Sequence, residues 1–408
     1  MSRVRVLHAI TMLELGGAQR NTLDTVASLD RNRFEPALAC ADTGELLPEA
    51  RRLVDVPVIE LAHLRREVRP VADLRALAEL RRAIRAFAPT IVHTHSSKAG
   101  VLGRLAAHLE RVPVVVHSIH GFGFGRHQGA PTRAAFLAAE RLAARWTDAF
   151  VAVSRANLEA GVGLGLFRRD QARVIRSGID LAAFRAHTGG EAVRAELGIP
   201  PAVPLVVQVS CLKPQKAPER FVTLAAALAA RLPSARFLLV GDGAMRPTLE
   251  RARARAGLET RLHFAGWRSD LPAIYDGATV VTLTSRFEGL PRVLVESLAC
   301  GVPVVAMAVD GVGEVVREGI NGFLVEEGDV TAMAERVARV LERPELRGRL
   351  SAQTGVGLEA FDREVMVREQ EALYGELITA RQSWGSGSPS AAVEPALTDA
   401  AARGSAGG

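Results

Sequence analysis

Phe287-Glu288-Gly289-Leu290-Pro291-Arg292-Val293-Leu294-Val295-Glu296 sets two carboxylates with seven residues between them, the second inside an apolar run. Pro291 suits the first position of a helix, where its missing N–H costs nothing. Glu288 then falls in the loop before the helix, and Glu296 projects from its second turn. Between them lie backbone N–H groups at a helix N-terminus, a natural seat for phosphate. Ionised carboxylates accept hydrogen bonds from hydroxyls. One short stretch thus offers two hydroxyl-binding groups flanking a phosphate-binding one, the order ribose, diphosphate, sugar of a nucleotide-sugar. A pair of glutamates that merely faces water is the plainer alternative, and the rest of the chain has to decide between them.

Outward from this stretch, short apolar runs alternate with amphipathic segments. Strands are expected at Val4–Ile10, Phe34–Cys40, Ile91–His95, Val112–Ser118 and Ala149–Ser154, and helices at about 18–29, 71–87, 99–109 and 134–146. Leu77, Leu80, Ile84 and Phe87 share one face of the 71–87 segment at helical spacing. The pattern breaks at Arg176-Ser177-Gly178-Ile179-Asp180 and stays polar to about Pro204. It resumes with strands at Leu205–Ser210, Arg236–Gly241, Leu262–Ala265, Thr279–Thr284, Val302–Met307 and Phe323–Val325, with helices at 218–231 and 247–256. Two consecutive β/α halves of this kind predict two Rossmann-like domains with parallel sheets and a ligand cleft between them. The expected division is residues 1–184, residues 185–360, a helix over 361–381 that packs back across the domains, and a Gly-, Ser-, Ala- and Pro-rich tail over 382–408 without order.

Composition narrows the class. Of 408 residues, 48% are hydrophobic and 24% charged, as in an ordinary globular protein with sizeable cores. Cys40, Cys211 and Cys300 are odd in number and widely spaced, which reads as buried free thiols in a reducing compartment, with neither a disulfide nor a metal pattern. The apolar part of the N-terminus is too short for a signal peptide, and no stretch suffices for a transmembrane helix, so a cytoplasmic location is expected. The first 180 residues carry 26 Lys and Arg against 18 Asp and Glu, and the remainder 25 against 27. A basic first half suits an anionic lipid surface or an anionic substrate. Sparse aromatic interleaving speaks against nucleic acid.

Five further constellations sit at strand ends, where α/β sheets place their ligands. Gly16-Gly17 lies between a strand and a helix, so the backbone there can approach a phosphate; a plain βα turn is the alternative, and the full G-x-G-x-x-G fingerprint is absent. His93-Thr94-His95-Ser96-Ser97-Lys98-Ala99-Gly100 pairs two histidines at a metal-like spacing. No Cys, Asp or third His lies near them in sequence, so no metal site is expected, and Ser97 and Lys98 read as the cap and opening of a helix. His120 precedes Gly121 at a strand end and faces either the cleft or a structural partner. Lys213 and Lys216 form either a diphosphate clamp or a solvated loop. Gly241-Asp242-Gly243 permits a close backbone approach or simply turns the chain. No D-x-D, P-loop or G-x-S-x-G motif occurs.

In their order along residues 4–375 these motifs, with Ser177-Gly178-Ile179-Asp180 and the run Ser297-Leu298-Ala299-Cys300-Gly301-Val302-Pro303-Val304-Val305, resemble the retaining glycosyltransferases of the family-4 type. The resemblance implies the GT-B arrangement: α/β, two facing Rossmann-like domains, active site in the interdomain cleft. It also implies roles. Glu296 would bind the ribose hydroxyls, Glu288 the donor sugar, and the N–H groups of Gly289 and Leu290 the phosphates. Lys216 would neutralise the leaving diphosphate, with Gly16 and Gly17 closing over it from the other domain. His120 would contact the donor sugar near the reacting carbon, and Trp267 would lie where the base is held. Five positions before Lys216, where the family usually has Arg, this chain has Cys211; Lys213 or a helix N-terminus is left to replace that charge.

The implied activity is metal-independent, cofactor-free transfer of a sugar from a UDP- or GDP-linked donor to a hydroxyl of a saccharide or lipid-linked acceptor. Contact with anionic membrane at the inner face is expected from the basic first half. A nucleotide-sugar epimerase of similar fold and a nonenzymatic glycan- or nucleotide-binding protein are the alternatives, and a dehydrogenase is disfavoured by the missing fingerprint.

Overall fold

The structure is a computed structural model that describes residues 3–122, 129–186 and 188–385. The loop Gly121-Phe122-Gly123-Phe124-Gly125, which begins G-x-G in sequence, lies outside the described residues from Gly123 on. The first sheet is built from β1 (Val4–Ala9), β2 (Phe34–Ala41), β3 (Val58–Leu61), β4 (Ile91–His95), β5 (Val114–Ile119), β6 (Ala149–Ala152) and β7 (Ala172–Val174), in the order β3-β2-β1-β4-β5-β6-β7. Every pairing in it is parallel. The second contains β8 (Leu205–Val209), β9 (Arg236–Val240), β10 (Leu262–Gly266), β11 (Val280–Leu283), β12 (Val304–Met307) and β13 (Gly322–Val325), in the order β10-β9-β8-β11-β12-β13. It too is parallel throughout. Strands buried on both faces explain the near-continuous apolar runs, such as Leu205–Val209, broken only by Gln208 and buried at all five residues. In each sheet the order reverses beside its first strand, and ligands in open α/β sheets bind outside the strand ends at that point.

The chain crosses between the domains twice, and the two crossings pair with each other. The Ile179 N–H donates to the Phe361 carbonyl at 2.9 Å, and the Arg363 N–H donates to the Ile179 carbonyl at 2.8 Å. A Cβ at Gly178 would lie 2.6 Å from the Arg363 Cα, which accounts for the glycine there. Asp180 caps the short Leu181–Arg185 helix and pairs with Arg363 at 3.0 Å. Ile179 and Leu181 are buried in the core of the second domain, so the crossover lies a few residues before the boundary at 184 expected from sequence.

The closing helix, Arg363–Gly385, returns to the first domain, where Met366, Val367, Leu373 and Tyr374 join Val6, Leu29 and Phe34 in one core. It runs past the 382 boundary because Arg381 and Gln382 are good helix formers and Gly385 is the first glycine after Gly375. The remainder of that tail, 386–408, lies outside the described residues. Of the cysteines, Cys40 is buried, whereas Cys211 and Cys300 are only half-buried. No helix among the described residues is long and apolar enough to cross a membrane.

Tyr374 is fully buried against Phe34, with ring centroids 5.8 Å apart. Tyr374→Ala is expected to cost about 3–5 kcal/mol and to loosen the closing helix, seen as a lower melting temperature and faster proteolysis near the C-terminus.

Candidate active site

A cavity of about 780 Å³ lies between the two domains. The strand ends of both sheets supply its walls: Gly16 and Gly17 after β1, His120 after β5, Lys213 and Lys216 after β8, Gly241 after β9, Trp267 after β10, and Glu288, Gly289, Leu290 and Glu296 after β11. Residues spread over 280 positions of sequence converge because both sheets turn their switch points toward each other.

Glu288 is 5% exposed. Lys216 Nζ donates to its two oxygens at 2.6 and 2.8 Å, and the Ser285 hydroxyl donates to Oε1 at 2.6 Å. The Glu288 N–H donates to Asp310 Oδ2 at 2.6 Å, and Asp310 holds a left-handed backbone, φ 40°. Nothing in the sequence near residue 310 marks this support. No described residue accepts from the N–H of Gly289 or Leu290. The helix that follows spans Arg292–Ala299, with Pro291 at its cap, one position before the place expected from sequence.

Glu296 faces the same cavity and accepts from the Tyr275 hydroxyl at 3.0 Å. Burial raises its carboxyl above the ordinary range, opposed by the nearby Arg292 charge and by the Tyr275 bond. Tyr275 is itself fully buried, and it leaves Glu296 Oε1 for other partners.

Lys213 and Lys216 are two of only three lysines among 51 basic residues. In a chain that otherwise uses Arg, the compact ammonium occurs at this loop, where a point charge on a flexible stem suits a phosphate group. Burial pulls Lys213 below its ordinary pKa. The thiol of Cys211 donates to the Leu15 carbonyl at 3.0 Å across the domain boundary, so Cys211 serves as a contact between domains. Trp267 is 43% exposed and lies over Gly241, its Cζ3 3.5 Å from where a Cβ would stand, and so offers a face for stacking.

The first domain closes the cavity. The helix Gly17–Ser28 has no side-chain cap, so the N–H groups of its first turn are open to the cleft. Arg292 bonds Asp24 of that helix at 2.9 Å. Glu314 accepts from the Arg155 N–H at 2.6 Å and from Arg176 at 3.2 Å. Closest of all, a Cβ at Gly289 would stand 2.2 Å from the His120 carbonyl oxygen. Facing it, Gly121 has φ +116°, a conformation that favours glycine.

His120 is part of a histidine cluster that sequence order concealed. His95 Nδ1 lies 3.0 Å from His120 Nε2, and His8 Nδ1 lies 3.0 Å from His95 Nε2. His8 is the third histidine near the His93/His95 pair; β1 runs beside β4 and sets His8 opposite His93. His8, His93 and His95 fit a metal poorly. The His93 and His95 rings stack with centroids 4.4 Å apart instead of converging on a point, and both His93 nitrogens bond hydroxyls, of Tyr374 at 2.5 Å and Ser118 at 2.8 Å. Burial pushes His8 down to about 3 and His120 to about 4, with Arg292 adding to the shift of His120; His95 falls well below its usual range for the same reason. In all three, burial favours the neutral ring. In the same motif, Ser96, not Ser97, stands at the helix cap, with φ 62° and its hydroxyl 2.7 Å from that of Thr11. Lys98 pairs with Asp73 at 2.6 Å, away from the phosphate seat.

Two Rossmann-like domains that enclose such a cavity define the class of GT-B proteins. Two family models divide the chain between them: Glycosyltransferase Family 4 over residues 15–183 and Glycosyl transferases group 1 over residues 190–354. A UDP-Gal:alpha-D-GlcNAc-diphosphoundecaprenol alpha-1,3-galactosyltransferase of Escherichia coli is 30% identical over 348 residues, covering 84% of this chain and 89% of the relative. A D-inositol 3-phosphate glycosyltransferase of Actinosynnema mirum is 28% identical over 394 residues, covering 89% and 93%. Among solved structures, HepE of Anabaena in complex with UDP-glucose superposes with a TM-score of 0.79 at 24% identity, covering 91% of this chain and 100% of that one. The chain belongs to the glycosyltransferases of the family-4 type.

Gly289→Ala is expected to hold the domains apart. Nucleotide affinity should fall about tenfold or more while the melting temperature changes little, which calorimetric titration and thermal unfolding check together.

Proposed function

We propose that the protein transfers a sugar from a nucleoside-diphosphate donor to a hydroxyl of a lipid-linked or polysaccharide acceptor, with retention at the anomeric carbon and without a metal. The observation that carries this reading is the wall formed by Glu288, the open N–H groups of Gly289 and Leu290, and Glu296, with His120 facing it from the other domain. Glu296 takes the ribose hydroxyls, the N–H groups take the diphosphate, Glu288 takes the sugar, and Trp267 stacks on the base. UDP as the nucleotide and a lipid-linked diphosphate acceptor are supported by the name of the Escherichia coli relative.

The chemistry follows from charge. The bond from the anomeric carbon to the phosphate oxygen breaks, and the leaving diphosphate must be stabilised. Lys213, Lys216 and the N-termini of the Gly17–Ser28 and Arg292–Ala299 helices supply that stabilisation. Glu288 is the carboxylate nearest the sugar seat, and its oxygens are spent on Lys216 and Ser285, which blunts it as a nucleophile for double displacement. The acceptor oxygen instead bonds the anomeric carbon on the face the phosphate leaves, and its proton passes to the departing phosphate oxygen. Closure of the two domains excludes water and so favours transfer over hydrolysis.

Purified protein is expected to release nucleoside diphosphate from a nucleotide-sugar only when an acceptor is present; formation of a donor isomer without acceptor would contradict the reading. Glu296→Ala should raise donor KM about tenfold or more with kcat largely kept. Glu288→Ala should lower kcat about 10²- to 10³-fold with nucleotide binding retained. Equal effects of the two substitutions on both quantities would undo the division of roles.

A lipid-linked acceptor requires access to a membrane surface. Val68, Val71 and Leu74 are each about two-thirds exposed, at 68%, 66% and 68%, and Arg66, Arg69 and Arg75 are exposed beside them. The segment reaches the rim of the cleft, where Arg66 pairs with Glu14, two residues before Gly16. Apolar side chains set among cations suit an anionic bilayer interface. Sedimentation with phosphatidylglycerol vesicles is expected to bring the protein down at low salt, less so at high salt, and markedly less for Val71→Asp/Leu74→Asp; equal sedimentation of the variant would remove this patch from the account.

A further inference from the structure

We propose that His95 and His8 are positioning residues that fix His120 as a hydrogen-bond donor toward the cleft. The placement of His120 beside the donor sugar rests on the function proposed above, whereas the state of the histidine chain does not.

The three rings form a continuous chain from the middle of the first sheet to the cavity wall. His8 Nδ1 meets His95 Nε2 at 3.0 Å, and His95 Nδ1 meets His120 Nε2 at 3.0 Å. A neutral imidazole has one N–H and one lone pair, on different nitrogens. Each contact must therefore join an N–H to a lone pair, and a direction set at one end passes through the whole chain. Only two arrangements exist: every ring carries its proton on Nδ1, or every ring carries it on Nε2.

The two ends of the chain are unlike. At the inner end His8 is fully buried, and its Nε2 has no hydrogen-bond partner. At the outer end His120 has turned Nε2 into the fold, which leaves Nδ1 for the cavity that its ring lines. Protons on Nε2 would bury an unpaired N–H at His8, and orphaned buried N–H groups are rarer in folded proteins than orphaned acceptors. Protons on Nδ1 leave only a bare lone pair inside. That second arrangement makes His8 donate to His95, His95 donate to His120, and His120 donate into the cleft. His93 does not branch the chain. It stacks against His8 and His95, but its nitrogens go to Tyr374 and Ser118.

The consequence for the reaction is specific. A His120 that presents N–H bonds an oxygen of the donor and takes no proton from the acceptor hydroxyl. The acceptor proton then goes to the leaving phosphate oxygen, as in the front-face scheme.

The test uses the full chain labelled with 15N-histidine, with ring signals assigned through single-histidine substitutions. Long-range 1H–15N correlation spectra are expected to show His8, His95 and His120 protonated on Nδ1; Nε2 protonation of His95 or His120 would overturn the proposal. Kinetics give a second readout. His95→Asn keeps an N–H donor near the position of Nδ1, and His95→Leu has none. The Leu variant should lose about tenfold in kcat, the scale of one net hydrogen bond, and Asn should recover most of it. A packing role alone predicts the opposite order, because Leu is the better buried residue. Loss of transfer in His95→Asn as deep as in His95→Leu would overturn the positioning role, whereas absence of transfer in the unsubstituted protein alongside an intact Nδ1 pattern would count against the function proposed above, with the chain itself upheld.

Discussion

The constraint on which the site depends is the approach of two backbones across the cleft, Gly289 of the second domain against His120 and Gly121 of the first. A side chain on Gly289 would run into the His120 carbonyl, and the left-handed Gly121 shapes the opposing surface. This contact brings Glu288 and the start of the Arg292–Ala299 helix within reach of the first domain. The Arg292–Asp24 pair, the Glu314 contacts and the Cys211 thiol bond then hold the same closure at other points. Because the seat for phosphate lies at that junction, the same geometry that joins the domains assembles the site.

The site is supported from behind by groups that touch no cavity. Tyr275 holds one oxygen of Glu296, Asp310 holds the backbone of Glu288, and Ser285 holds its carboxylate. A carboxylate 5% exposed needs hydrogen-bond donors around it, and for Glu288 Lys216 and Ser285 supply them. The cost of burying Glu288 is thus offset by the residues that also fix its direction. Cys211 places no cation at its position, and the cavity wall draws its positive charge from Lys213 and Lys216 of the same loop and from Arg20, Arg268 and Arg292.

Much of this was legible in the sequence, for identifiable reasons. Strands buried on both faces leave near-continuous apolar runs, so Leu205–Val209 stands out, and the 71–87 helix shows its buried face through Leu80 and Ile84. Several elements escaped, among them the helices Gly190–Glu196, Leu271–Asp276, Val330–Glu342 and Pro344–Ser351, and three others carry weak signals. β3 is four residues long and mostly half-exposed, β7 has three residues, and the helix Arg155–Gly163 contains two glycines. The contacts that tune the site were hidden for a different reason. His8 meets the His93/His95 motif only through the register of β1 on β4, and Asp310 reaches Glu288 only through a turn with positive φ. Local pattern specifies elements, but long-range partners follow from topology, which composition and periodicity do not encode.

The central claim is that one wall of the interdomain cavity reads a nucleotide-sugar from ribose to sugar. A crystal structure of the protein with an intact nucleoside-diphosphate sugar tests it most directly. The account predicts ribose hydroxyls on Glu296, phosphate oxygens within about 3 Å of the Gly289 and Leu290 nitrogens, and the sugar between Glu288 and His120. A nucleotide bound in the opposite direction, or with its phosphates away from the Arg292–Ala299 helix, would contradict it.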